Sequence, residues 1–187
     1  DKNQQTAFVA LQVLRNICGV DISREAIATG FAQVCTLTGL RGRWEVLSQQ
    51  PLTICDTGHN SHGIQYVVEQ LSRFISSPLE GGVRGGTLHI ILGMVADKDI
   101  DDVLRLLPEQ ANYYFTQPAT PRAMLATDLQ ARWQRIHPNT HSLAFTTVNE
   151  AIKTAYANAH ADDVVFIGGS NYLVGEVLRT PLPAFHN

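Results

Sequence analysis

The amino-acid sequence predicts an α/β fold in which a doubly wound, mostly parallel sheet carries helices on both faces, with two helices ahead of it. Three observations lead there. The 187 residues are 44% hydrophobic and 17% charged, an ordinary globular composition with enough length to bury a sizeable core. From residue 43 onward, short apolar runs alternate with stretches of helical period, which is the rhythm of a parallel sheet with crossover helices. No run reaches the roughly 20 apolar residues of a membrane-spanning helix; the longest uncharged apolar stretch, 88–96 (LHIILGMVA), already contains His89 and Gly93.

Residues 3–17 set Ala7, Ala10, Leu11 and Leu14 at helical spacing, with Phe8 and Val9 widening the stripe and Gly19 as a stop. A second helix starts after the cap candidates Asp21 and Ser23 and passes through Ile27 and Phe31 towards Val34. Residues 36–42 (TLTGLRG) have the composition of a linker, so the chain is read as a helical segment, 1–38, and an α/β domain, 39–187. In that domain strands are predicted at 44–47, 52–55, 88–92, 112–116, 142–145 and 164–167, and helices at 63–74, 100–107, 122–133, 148–159 and 172–178. Residues 76–87 (SSPLEGGVRGGT) interrupt the rhythm and read as a surface insertion. Gly81 and Gly86 have phosphate-loop spacing, but Thr87 and Leu88 stand where that loop needs Lys and Ser or Thr.

Charge and cysteine usage narrow the function. Lys and Arg number 14 against 17 Asp and Glu, a net of −3, so the basic surface that nucleic-acid binding requires is missing. Cys18, Cys35 and Cys55 are odd in number, widely spaced and set among apolar neighbours, which predicts buried free thiols and a reducing, cytoplasmic setting. The chain opens on Asp1 without a basic-then-apolar leader; no export signal is expected, and the chain reads as a piece of something longer.

Ligands of doubly wound sheets bind beyond the carboxyl ends of the strands. Asp56 stands at such a tip, where an acid accepts from the vicinal hydroxyls of a ribose, and His59 and Asn60 follow near a helix N-terminus that suits an anion. Asp56 and Asn60 serve equally well as caps of the turn and the helix. His59 and His62 have no third ligand beside them, so no metal site is expected in this chain. Arg43, at the hinge, is placed either to meet a phosphate when two domains close or to stand as a solvated charge. Lys98, in 93–99 (GMVADKD), lies at the same edge, with Asp99 as the cap of the next helix. Ser170 lies there too, in the small-residue turn 168–171 (GGSN).

Taken in order, GRWEV at 42–46, DTGHN at 56–60, LGMVADKD at 92–99 and GGSNYLVGEV at 168–177 resemble the C-terminal domain of the folylpolyglutamate synthase/dihydrofolate synthase branch of the Mur ligases, over residues 3–178. Each motif is short, but four in sequence at the right strand tips are specific. Ser61 stands where the family usually has Pro after a DGAHN-like stretch, and Thr57 and Gly58 replace its middle residues.

The resemblance implies a Rossmann-like Mur ligase C-terminal domain preceded by two helices from the tail of a central ATPase domain. It implies an enzyme that uses ATP to phosphorylate a folate or dihydropteroate carboxylate and then joins glutamate to it as an amide. ATP and Mg2+ are the implied cofactors, with the phosphate loop and metal ligands in an N-terminal part that this chain lacks. Asn3 then matches an asparagine on adenine, Arg43 the hinge arginine on the ATP phosphates, and Asp56 the acid on the ribose. His59, Asn60, Lys98 and Ser170 lie towards the incoming glutamate and the acyl phosphate. A monomer is expected, working on small molecules without nucleic acid or membrane, and the chain alone is expected to be inactive. The alternatives are a peptidoglycan amide ligase of the same family and a non-catalytic Rossmann-like binding module, which a phosphate loop upstream would separate from a ligase.

Overall fold

The computed structural model describes residues 2–75, 86–96 and 100–185, which form two units, Asp1–Arg41 and Gly42–Asn187. The first is helical: α1 (Lys2–Asn16), α2 (Arg24–Ala32) and α3 (Val34–Thr38). Ser23 caps α2 as its position predicts, its Oγ accepting from Ala26 N at 3.0 Å. The predicted linker at 36–42 is shorter than expected, because α3 continues to Thr38 and ends only at Gly39, whose φ of 68° is the left-handed helix stop. Among residues 3–41 Ile27 alone is buried. Phe8, Val9, Ile17 and Leu37 are exposed, Ile17 by 78%. The same openness corrects the reading of the cysteines: only Cys55 is buried, while Cys18 and Cys35 sit exposed on this helical unit.

The second unit is the predicted doubly wound sheet. Six strands, β1 (Glu45–Gln49), β2 (Leu52–Asp56), β3 (Leu88–Leu92), β4 (Asn112–Thr116), β5 (Ser142–Phe145) and β6 (Val164–Gly168), run in the order β1-β2-β6-β3-β4-β5. All pair in parallel except edge strand β1, which is antiparallel to β2. The helices are α4 (Ser61–Ile75), α5 (Ile100–Leu106), α6 (Ala126–Ile136), α7 (Val148–Asn158) and α8 (Asn171–Val177). One face of the sheet packs Ile54, Ile90, Leu92 and Phe166 against Ile64, Val103 and Trp133. The other packs Ile91, Val165 and Ile167 against Ile152, Leu173 and Val174. β3 (LHIIL) and β6 (VVFIG) are buried at every position, which is why they read as continuous apolar runs rather than alternating ones.

One helix starts later than predicted. Residues 122–125 precede α6 because the chain there pairs with 94–96 instead: Ala123 bridges Val95, Ala96 N donates to Arg122 O at 3.0 Å, and Met124 N donates to Met94 O at 2.9 Å. The insertion reading of 76–87 falls almost wholly outside the described residues, as do Lys98 and the cap assigned to Asp99.

The amino-terminal edge of the sheet is closed by a polar chain, buried at Tyr114, His89 and Asp163 and ending on the exposed Asn158. Asn158 Nδ2 donates to Tyr114 Oη at 3.2 Å, and the Tyr114 hydroxyl lies 3.0 Å from His89 Nδ1. His89 Nε2 lies 3.2 Å from Asp163 Oδ2. Asp163 in turn accepts from Thr87 N at 2.6 Å and His160 N at 2.7 Å, tying the starts of β3 and β6 together. Burial pulls the His89 pKa below its usual value, outweighing the hydrogen bond and charge of Asp163, and nearby His160 adds to the effect. Burial works to raise the Asp163 pKa, but the His160 and Thr87 amides and the His89 ring hold it below the usual carboxylate range. At both positions the unfolded chain takes up a proton more readily than the folded one. Stability is therefore full near neutral pH and is lost on acidification, through His89 first, below about pH 6.5. The melting temperature should fall between about pH 7.5 and pH 5, and His89→Gln should melt lower at neutral pH with a flatter slope. A wild-type melting temperature constant across that range would contradict this.

Candidate active site

The site is assembled by strand order. β6 lies between β2 and β3, with Gly168 in register with Asp56 on one side and Leu92 on the other. Close approach demands glycine here: a Cβ on Gly168 would lie 2.5 Å from Phe166 Cζ and 2.9 Å from Asp56 O. Gly169 has φ 100°, and a Cβ there would lie 2.8 Å from Leu92 Cδ1. The chain then turns into α8, where Ser170, 2% exposed, caps the helix by accepting from Tyr172 N at 3.1 Å.

Half-buried Asp56 uses both carboxylate oxygens on backbone: Oδ1 accepts from Gly58 N at 2.7 Å and Oδ2 from Trp44 N at 2.8 Å. Each oxygen keeps a second lone pair, so the cap and a further partner are compatible. Trp44 has φ 47°, the only positive φ among the described non-glycine residues, a conformation that costs an L-residue roughly 1–2 kcal/mol. Asp56 and the packing of the indole against the core, 6.4 Å from the Phe166 ring, hold it there. Arg43 lies between Trp44 and Gly42, itself left-handed at φ 72°, and is exposed.

Beyond Asp56 the loop is self-bonded. His59 Nδ1 lies 3.0 Å from Thr57 O, which makes it the donor and leaves Nε2 as an acceptor in the neutral ring. Asn60 Oδ1 accepts from Gly63 N at 2.8 Å, the N-cap of α4 that its sequence position suggested. His62 is engaged edge-on with Tyr66, ring centroids 5.3 Å apart. Among the described residues no three His, Cys, Asp or Glu side chains gather closely enough to hold a metal ion.

Arg43, Asp56, His59, Asn60 and Ser170 thus belong to one edge of the sheet, together with three residues that sequence position did not single out. Glu45 Oε2 accepts from Gly42 N at 2.7 Å; the signal was an acid three residues after a glycine, masked because Glu45 also opens a strand. Thr57 and Thr116 carry, among the described residues, the buried side-chain polar atoms without a hydrogen-bond partner, and both lie at this edge. Lys98 lies outside the described residues. Asn3 belongs to the helical unit, where it lines a cavity of about 550 Å³ with Ala7, Leu11, Ala26 and Phe31.

Because Asp56 serves two amides, an asparagine cannot replace it: its NH2 group would face the Trp44 or the Gly58 amide, donor against donor. Asp56→Asn is expected to destabilise the α/β unit by about 1–3 kcal/mol, read as a lower denaturation midpoint. An unchanged midpoint would mean that the two bonds are not held in solution.

Residues 42–171 match the family described as Mur ligase, glutamate ligase domain. Dihydrofolate synthase/folylpolyglutamate synthase of Escherichia coli is 28% identical over 177 residues, which are 94% of this chain and 37% of that protein. The E. coli enzyme solved with DHPP and ADP superimposes with a TM-score of 0.76 at 28% identity, covering 95% of this chain and 38% of the solved one. A bifunctional folylpolyglutamate synthase/dihydrofolate synthase solved with Mn, AMPPNP and L-glutamate superimposes with a TM-score of 0.67 at 29% identity, covering 86% and 35%. This chain therefore spans well under half the length of the relatives it matches. With a family match over residues 42–171, most of its length, the chain belongs to the Mur ligase family and carries the glutamate ligase domain of that family.

Proposed function

We propose that this chain is the C-terminal part of an ATP-dependent folylpolyglutamate synthase/dihydrofolate synthase. The observation that carries the reading is the convergence of 42–46, 56–60 and 168–171 at one sheet edge in a chain whose relatives are folate synthases. Those names favour a folate or dihydropteroate over a peptidoglycan precursor, and the family match disfavours a non-catalytic module. The nucleotide and L-glutamate named in the solved relatives support ATP and glutamate as co-substrates.

The reaction has two steps. A carboxylate oxygen of the folate substrate attacks the γ-phosphorus of ATP, giving an acyl phosphate and ADP. The amine of glutamate then attacks the acyl carbon, phosphate leaves with that carboxylate oxygen, and the nitrogen loses its proton as the amide forms. Arg43 offsets charge on the nucleotide phosphates, the kind of electrostatic stabilisation that dominates phosphoryl transfer. Asp56 takes the ribose hydroxyls on its remaining lone pairs, and Asn3 meets the adenine. His59 offers Nε2 to the ammonium of glutamate, beside Asn60 and Ser170, and Lys98 balances the crowded anions. A divalent cation, Mg2+ in this reading, neutralises phosphate charge when bound. The described residues of this chain lack a donor set for it, so its ligands are expected from the family's N-terminal part.

The helical unit, with Phe8, Val9, Ile17 and Leu37 open to solvent, suits the tail of a larger central domain better than a self-sufficient fold. The enzyme works as a cytoplasmic monomer on small molecules, in keeping with its free thiols and net charge of −3; no described helix is long and apolar enough to cross a membrane.

The test is ADP release that depends on both a folate or pteroate substrate and glutamate. The intact enzyme containing this chain should show it, and the chain alone should not, since it supplies one wall of the site. In the intact enzyme Arg43→Ala should lower the rate on the order of a hundredfold, about 2–4 kcal/mol of transition-state stabilisation, with the melting temperature nearly unchanged. Turnover by the isolated chain near the intact rate, or wild-type kinetics for Arg43→Ala, would contradict the reading.

A further inference from the structure

We propose that Glu45 is a positioning residue for Arg43, holding the left-handed turn Gly42–Trp44 so that the guanidinium is presented from a fixed backbone. The inference rests on the reading that Arg43 meets the nucleotide phosphates. The residues on either side of Arg43 are each held by a carboxylate: Gly42 N donates to Glu45 Oε2 at 2.7 Å, and Trp44 N donates to Asp56 Oδ2 at 2.8 Å. The carbonyl of Gly42 is held as well, accepting from Thr57 N at 2.9 Å. Gly42 is also seated against α8, where a Cβ would lie 2.6 Å from Val174 Cγ1.

A solvated surface arginine needs no such frame. Here two acids and a tryptophan in a conformation rare for bulky residues fix the backbone around one exposed cation. Asp56 also serves Gly58, and the bond from Glu45 closes the turn onto itself. Without that bond the amide of Gly42, a residue with no Cβ to restrict it, is released while its carbonyl stays held by Thr57, and the reach of Arg43 spreads over more positions. Losing such preorganisation lowers the rate of the chemical step more than it weakens binding.

The experiment is a double-mutant cycle in the intact enzyme with Glu45→Ala, Glu45→Gln, Glu45→Asp and Arg43→Ala, reading kcat, KM for ATP and melting temperature. Glu45→Ala should lower kcat about tenfold while KM for ATP moves less than about threefold. Glu45→Gln, whose amide oxygen accepts the same N–H, should stay within about threefold of wild type, and Glu45→Asp, which keeps the charge but not the reach, should behave as alanine does. In an Arg43→Ala background Glu45→Ala should cost nothing further. If Arg43→Ala is impaired but Glu45→Ala is silent, or the two losses multiply, this inference is overturned while the ligase reading stands. Should Glu45→Ala not fold, Glu45→Asp carries the same cycle. If Arg43→Ala is itself silent, the nucleotide role of Arg43 fails and this inference falls with it.

Discussion

The pairing of β6 with β2 on one side and β3 on the other is the interaction on which the rest of the molecule depends. β6 is the last strand in the chain, yet it fills the gap between the second and third, so the sheet is incomplete until nearly all of the chain is in place. Its insertion aligns the ends of three strands and puts the loops after Asp56, Leu92 and Gly168 side by side. The fit tolerates no side chain at Gly168, where Phe166 and the Asp56 carbonyl already occupy the space a Cβ would take. The glycines of GGSN are explained first by this packing, and only afterwards by any ligand.

The two edges of the sheet differ in how completely their polar groups are paired. At the amino-terminal edge, hydrogen bonds run in a chain from the exposed Asn158 through Tyr114 and His89 to the buried Asp163. At the carboxyl edge the polar groups are less fully matched: the buried hydroxyls of Thr57 and Thr116 find no hydrogen-bond partner among the described residues, and Trp44 is held in an unfavourable conformation. Unmet polar groups and local strain are features that functional sites sustain in general, and here they fall at the edge proposed to hold the substrates.

The sheet was largely legible in the sequence because buried parallel strands are continuous apolar runs. The predicted spans 88–92, 112–116 and 142–145 coincide with β3, β4 and β5. Strand order was not legible, since nothing local marks β6 as central. The late start of α6 depends on pairing between 94–96 and 122–124, a tertiary bond that overrides helical pattern. The exposure of Cys18 and Cys35 follows from a helical unit that buries little of its apolar surface, which an apolar neighbourhood in sequence does not reveal. The position rule put Asp56 and Ser170 at the sheet edge where the structure has them. That Asp56 reaches Trp44, twelve positions away along the chain, and that Glu45 closes a turn on Gly42, are three-dimensional facts.

The proposed function requires an acyl phosphate formed at this sheet edge in the intact enzyme, and isotope transfer tests it most directly. With 18O in the substrate carboxylate and ATP and glutamate supplied, each turnover should deliver one 18O atom to inorganic phosphate, alongside ADP. Inorganic phosphate free of label, or label recovered in AMP, would contradict activation by phosphorylation and with it the functional reading of this domain.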